Sequence, residues 1–181
     1  MGRYRVAGTD IAYSAPDDCF WVVGQNVRKV SRTGQVIATS AVHFAWTAVS
    51  VAVKQKDGSV IVGEGQHPQV AGSLARVLIF DSNAQLRTTI DHAASSVAVD
   101  EQRGVGWAAG FGNDGLAKFD LATGKILATA PIAGALAVEP DTGCLWVCGE
   151  SEIDRIDPAG RWIWSKASLA DSQKWAQVLP P

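Results

Sequence analysis

One unit written four times constrains this chain more than any other feature of it. Ile11-Ala12-Tyr13, Val51-Ala52-Val53, Val97-Ala98-Val99 and Leu136-Ala137-Val138 open the four copies. Ten, nine, ten and ten residues after the first apolar residue of each copy stand Trp21, Val60, Trp107 and Trp146, and a glycine follows each three positions later. Turns separate the two runs, with Gly58, Gly104 and Gly143 in the later copies. A third run recurs at 27–30, 77–81, 116–120 and 153–157. Tight turns at 32–34, 82–84, 121–124 and 158–160 then feed a fourth run at 35–39, 85–90, 125–130 and 161–166.

Each copy therefore reads as four short strands, a to d, joined by turns. Short strands at regular spacing with glycine turns mean a sandwich, a barrel or a propeller. A period of about 40 residues with four strands each time selects the propeller. The predicted fold is all-β: a β-propeller built from four four-stranded blade repeats, either an incomplete ring or a strained ring of four blades. The blades are set at 11–42, 51–93, 97–132 and 136–168, after a leading strand in 1–10 and before a C-terminal tail at 169–181. Strands a and b are apolar on both faces, as a sheet sandwiched between neighbours requires. Strand c mixes charges with apolar residues, which places it nearer the rim. Helical periodicity is absent through the repeats.

The run Gly-x-x-Trp-x-x-Gly, then a short strand ending in Asp, then Ala-Thr-Gly-Lys, resembles the NHL, YVTN and streptogramin-lyase-like propeller superfamily. The likeness extends over residues 11 to 168. Asp120-Leu-Ala-Thr-Gly-Lys125 also resembles quinoprotein propeller repeats. The second copy departs from the pattern: it lacks the Trp and carries an insertion, Glu64 to Arg76, between b and c. The resemblance implies a ring of six or more blades, of which this chain supplies four. Lactonase-like members use an inward Glu-Asn-Asp metal set, and lyase-like members use His with a bound metal. No residue here matches either motif at its expected position in a blade.

Propeller geometry puts d–a and b–c loops on one face and a–b and c–d turns on the other. His43 and His92 fall in d–a loops and His67 in the long b–c loop, with Trp46, Glu64 and Asp114 on or near the same face. These six are the ligand-face candidates, and solvated loop residues are the competing reading. Asp81, Asp120 and Asp157 recur at one repeat position, so they are expected to close the following turn by accepting backbone N–H bonds. Asp100 and Glu139, near a–b turns, read the same way. Trp162, Trp164 and Trp175 crowd the C-terminal end and are the partner-contact candidates. Trp162 and Trp164, two apart, are expected on one side of a strand. Trp107 and Trp146 are expected between blades.

The formal net charge is −2 with both signs scattered, and no basic run exceeds two residues, which excludes a nucleic-acid footprint. No stretch approaches 18 apolar residues, so no membrane insertion is expected. The N-terminus lacks an apolar segment after its charges, so no signal peptide is read and a cytoplasmic location is favoured over export. Three cysteines, Cys19, Cys144 and Cys148, read as free thiols. The expected function is a non-enzymatic scaffold or assembly subunit with a protein partner or self-association and no cofactor. The alternatives are a metal-dependent lyase- or lactonase-like enzyme, with a divalent metal on the face of His43, His67 and His92, and a quinoprotein-like fragment.

Overall fold

Short runs of β-branched and aromatic residues, cut by a–b and c–d turns that each hold a residue at positive φ, leave each segment the right length for one strand and no longer. A computed structural model of the chain describes residues 7–44, 49–65, 75–110, 115–149 and 152–167, with residues 164–167 described by backbone alone. Blade 1 is β1 (Asp10–Ser14), β2 (Cys19–Val23), β3 (Val27–Ser31) and β4 (Val36–Thr39). Blade 2 is β5 (Ser50–Val53), β6 (Val60–Glu64), β7 (Arg76–Phe80) and β8 (Leu86–Ile90). Blade 3 is β9 (Ser96–Asp100), β10 (Val105–Ala109), β11 (Leu116–Asp120) and β12 (Ile126–Ala130). Blade 4 is β13 (Ala135–Val138), β14 (Leu145–Cys148), β15 (Glu152–Ile156) and β16 (Trp162–Ala167). Each blade is an antiparallel meander whose strands pair in sequence order. Among the described residues there is no helix. The leading segment 1–6 and the tail from 168 lie outside the described residues.

Alternate side chains leave a strand on opposite faces, so every blade has one face directed back along the chain and one directed forward. Three apolar cores result, one per joint. Trp21, Val23 and Val27 of blade 1 meet Val51, Val60, Val62, Leu78 and Phe80 of blade 2. Ile61, Val77 and Ile79 meet Val97, Ala108 and Phe119. Trp107, Ala109 and Leu116 meet Leu145, Val147 and Ile156.

Strand register corrects the alignment of the second copy. Trp21 stands opposite Ala12 and Lys29, Trp107 opposite Ala98 and Lys118, and Trp146 opposite Ala137 and Arg155. In blade 2 the residue opposite Ala52 and Ile79 is Ile61, not Val60. The spacing is therefore the same in all four blades. Gly63 had mimicked the trailing glycine, whose true equivalent is Glu64.

A β-bulge interrupts the c–d pairing at one place in every blade, between Lys29 and Val30, Ile79 and Phe80, Lys118 and Phe119, and Arg155 and Ile156. It adds one residue to strand d and increases its twist. In blade 4 this overturns a sequence expectation. Trp162 pairs with Ile156 and Trp164 with the adjacent Arg155, so their two-residue spacing spans the bulge and does not give a regular alternation. The c–d turns place Gly34, Gly124 and Gly160 at positive φ, and blade 2 does the same with Ala84 at φ 63°.

Candidate functional site

The first residues of the four inner strands converge on one cavity of about 630 Å³, a funnel lined by Thr9–Asp10, Val49–Ser50, Ser95–Ser96 and Ala133–Ala135. Their side chains are occupied. The Val51 amide donates to Asp10 Oδ2 at 2.9 Å, the Val97 amide to Ser50 Oγ at 3.2 Å and the Leu136 amide to Ser96 Oγ at 3.0 Å. Each bond runs from one blade's side chain to the next blade's backbone. Thr9 Oγ1 donates to the carbonyl of Val23, and Ser95 Oγ to that of Ala109. Asp10 Oδ1 also accepts the amide of Ile11 at 2.8 Å. The funnel is thus lined by small residues, and the polar atoms of Asp10, Ser50 and Ser96 hold the inner strands of successive blades together. Sequence reasoning missed these clamps, although Asp10, Ser50 and Ser96 share one repeat position.

Three of the ligand-face candidates, His43, Glu64 and His92, lie among the described residues. His43 lies in the β4–β5 connection and is exposed. His92 lies in the β8–β9 connection, and its Nε2 is buried with no hydrogen-bond partner among the described residues. Trp46, His67 and Asp114 lie outside the described residues. Among the described residues no group of three His, Cys, Asp or Glu side chains could hold a metal ion.

Glu64 is held in a buried ion pair at the end of β6. It fills the slot of Gly24, Gly110 and Gly149, whose amides close short b–c hairpins by donating to the carbonyls of Asn26, Gly115 and Glu152. In blade 2 the last b–c pair is Glu64 with Arg76. Arg76 Nε donates to Glu64 Oε2 at 2.6 Å, the glutamate side chain is 1% exposed, and its Oε1 has no partner among the described residues. The Arg76 guanidinium lies 5.9 Å from the ring centre of Phe44. A buried ion pair therefore pins the base of the insertion.

The recurring turn carboxylates behave as their recurrence implied. Asp81 Oδ1 accepts the amides of Asn83 and Gln85. Asp120 Oδ1 accepts the Thr123 hydroxyl and the amides of Ala122 and Thr123, and these bonds, Thr123 foremost, hold its carboxyl below the usual range. Asp157 accepts the Arg161 amide, with the same effect. Asp100 braces the amide of Arg103.

The other exposed chemistry lies on the two end faces. Ile11 is 60% exposed, whereas Val51 and Val97, at the same repeat position, are 8% and 6% exposed beneath the preceding blade. A cavity of about 370 Å³ opens on this face of blade 1, lined by Ile11, Phe20, Val22, Val30, Arg32 and Gly34 among others. On the far face of blade 4, Arg155 lies 5.8 Å from the ring centre of Trp146, and both side chains donate to Glu139. Trp146 is half-buried there, unlike Trp21 and Trp107, so the expectation of equal burial is corrected. The same cation-over-Trp stack recurs inside the joints. Lys29 lies over Trp21 and donates to the Ser82 carbonyl of blade 2, and Lys118 lies over Trp107 and donates to the Pro158 carbonyl of blade 4. Cys148 is exposed, while Cys19 and Cys144 are buried, and all three are free thiols. Of the partner-contact candidates, Trp162 is 47% exposed, Trp164 is described by its backbone, and Trp175 lies outside the described residues.

No family model matches the chain, and no curated protein matches it in sequence. Its fold is widespread: 611 solved chains match it. One is hydrazine synthase from Kuenenia stuttgartiensis, with a TM-score of 0.73 and 18% identity over 88% of this chain. The match covers 49% of that chain, so the four blades span about half its length. At that identity the likeness establishes the β-propeller fold alone.

Proposed function

We propose that this chain is a non-enzymatic propeller module, an interaction scaffold or assembly subunit that works through its end faces. One observation carries the reading. Each inner-strand acceptor facing the funnel, Asp10, Ser50 and Ser96, already holds a backbone amide of the next blade, while the apolar face of blade 1 stands open. Freeing one of those acceptors for a substrate would strand a backbone donor at a joint, at a cost of about 1–3 kcal/mol. Open apolar faces of this kind mark interaction surfaces. The repeat likeness to NHL and YVTN propellers supports the same reading.

Metal analysis of the purified protein tests it. The expected result is metal well below one equivalent per chain. One equivalent, lost on His67→Ala, overturns the reading in favour of the lyase- or lactonase-like alternative.

A further inference from the structure

We infer that the open faces of blades 1 and 4 are the two halves of a fourth kind of joint, formed head-to-tail between two copies of this chain. The inference rests on the reading of the end faces as the working surfaces, and it names their occupant.

Blade 1 presents the receiving half of an inter-blade joint. Phe20, Val22 and Val30 stand in register where Val60, Val62 and Phe80 receive blade 1, and where Leu145, Val147 and Ile156 receive blade 3. Blade 4 presents the delivering half. Its Trp146–Arg155 stack repeats Trp21–Lys29 and Trp107–Lys118. Inside the chain that cation reaches a carbonyl in the next blade's c–d turn, that of Ser82 or Pro158. The matching turn residue of blade 1 is Arg32, on the rim of the open cavity.

The two ends also agree in what they lack. At every internal joint the amide of the second inner-strand residue needs a side-chain acceptor from the blade before it. Blade 4 offers Ala135 at that position, which accepts nothing. Blade 1 asks for nothing, because the Ile11 amide is already held by its own Asp10 at 2.8 Å. Within one chain the faces stay apart: Ile11 is 60% exposed, and Ala135 and Ala137 are exposed. Two copies supply eight blades, inside the range of four to eight over which propellers close. Two identical head-to-tail joints then leave no apolar face free.

A cysteine pair tests the joint. In the contact between blades 2 and 3, a Cβ built on Gly63 lies 3.2 Å from Val97 Cγ1. Cys148 holds the slot of Gly63, and Ile11 holds the slot of Val97. Ile11→Cys should therefore bridge Cys148 of a second copy, since disulfides need Cβ atoms about 3.5–4.5 Å apart. Light scattering on the unaltered chain is expected to give twice the 19.1 kDa chain mass. Mild oxidation of Ile11→Cys is expected to give a covalent two-chain species that Cys148→Ser abolishes. A monomer with an 11–148 bridge within one chain overturns the inference and shows a self-closed four-blade ring. Absence of any bridge also overturns it. If that protein is metal-free and still associates, the scaffold reading survives and only this joint falls.

Discussion

The amide of Val51 donates to Oδ2 of Asp10 across 2.9 Å, tying the inner strand of the second blade to a side chain of the first. Ser50 and Ser96 repeat the device at the next two joints. These three bonds run in one direction around the funnel, and each satisfies an amide that the joint would otherwise cover.

Ser50→Ala removes the acceptor for the buried Val97 amide. The loss is expected at about 1–3 kcal/mol, the penalty of an unsatisfied buried donor. Ala135→Ser, which adds a hydroxyl at the equivalent exposed position, should change stability by less than about 0.5 kcal/mol. Urea denaturation of both variants measures the contrast.

The tryptophan slot separates blades by their neighbours. Trp107 is 2% exposed against blade 4, so Trp107→Ala should cost about 3–5 kcal/mol. Trp146 has the same register but is half-buried on the far face of blade 4, and Trp146→Ala should cost clearly less. Melts of the two variants at low protein concentration should place Trp107→Ala lower by many degrees.

Glu139 carries an acid dependence. Bonds from Arg155, then Thr142 and Trp146, lower its carboxyl to about 2. The folded value lies below the unfolded one, so the stabilisation is complete above about pH 4.5 and is lost as pH falls toward 2. Glu139→Gln should lose less stability than the parent between pH 5 and 2. Asp120 and Asp157, also lowered, keep the acid slope from vanishing. Denaturation midpoints across that range give the comparison.

The Glu64–Arg76 pair should be worse to halve than to delete. Arg76→Met leaves a carboxylate that is 1% exposed without its cation, at a cost of about 3–5 kcal/mol. Glu64→Leu with Arg76→Met removes both charges and should be the milder change. Calorimetric melts of the single and double variants decide it.

The blades were legible because their signals are local. Turn glycines, short apolar runs and a fixed period lie within one copy, and the turn role of Asp81, Asp120 and Asp157 followed from recurrence alone. The second copy was misaligned by one residue because Gly63 imitates a slot that pairing gives to Glu64. The bulge beside Ile156 was illegible because it is a property of two strands together, and it defeated the reading of Trp162 and Trp164. The funnel clamps were hidden for a similar reason. A lone Ser or Asp before an apolar run looks like loop, and the amide it holds lies some 40 residues downstream, in the next blade. The exposure of Ile11 and Trp146 depends on what stands beyond the end blades, which no repeat pattern encodes.

Every strand pair in the four blades joins neighbours in sequence. Each blade can therefore zip as a pair of hairpins before any joint forms, with little loop entropy to overcome. Joints then add cooperativity only between nearest neighbours, as in a one-dimensional array. At concentrations low enough to keep copies separate, blades 2 and 3 are coupled on both sides and blades 1 and 4 on one. Amide exchange should consequently run inward from the two ends, with β6, β7 and β10 the last strands to open.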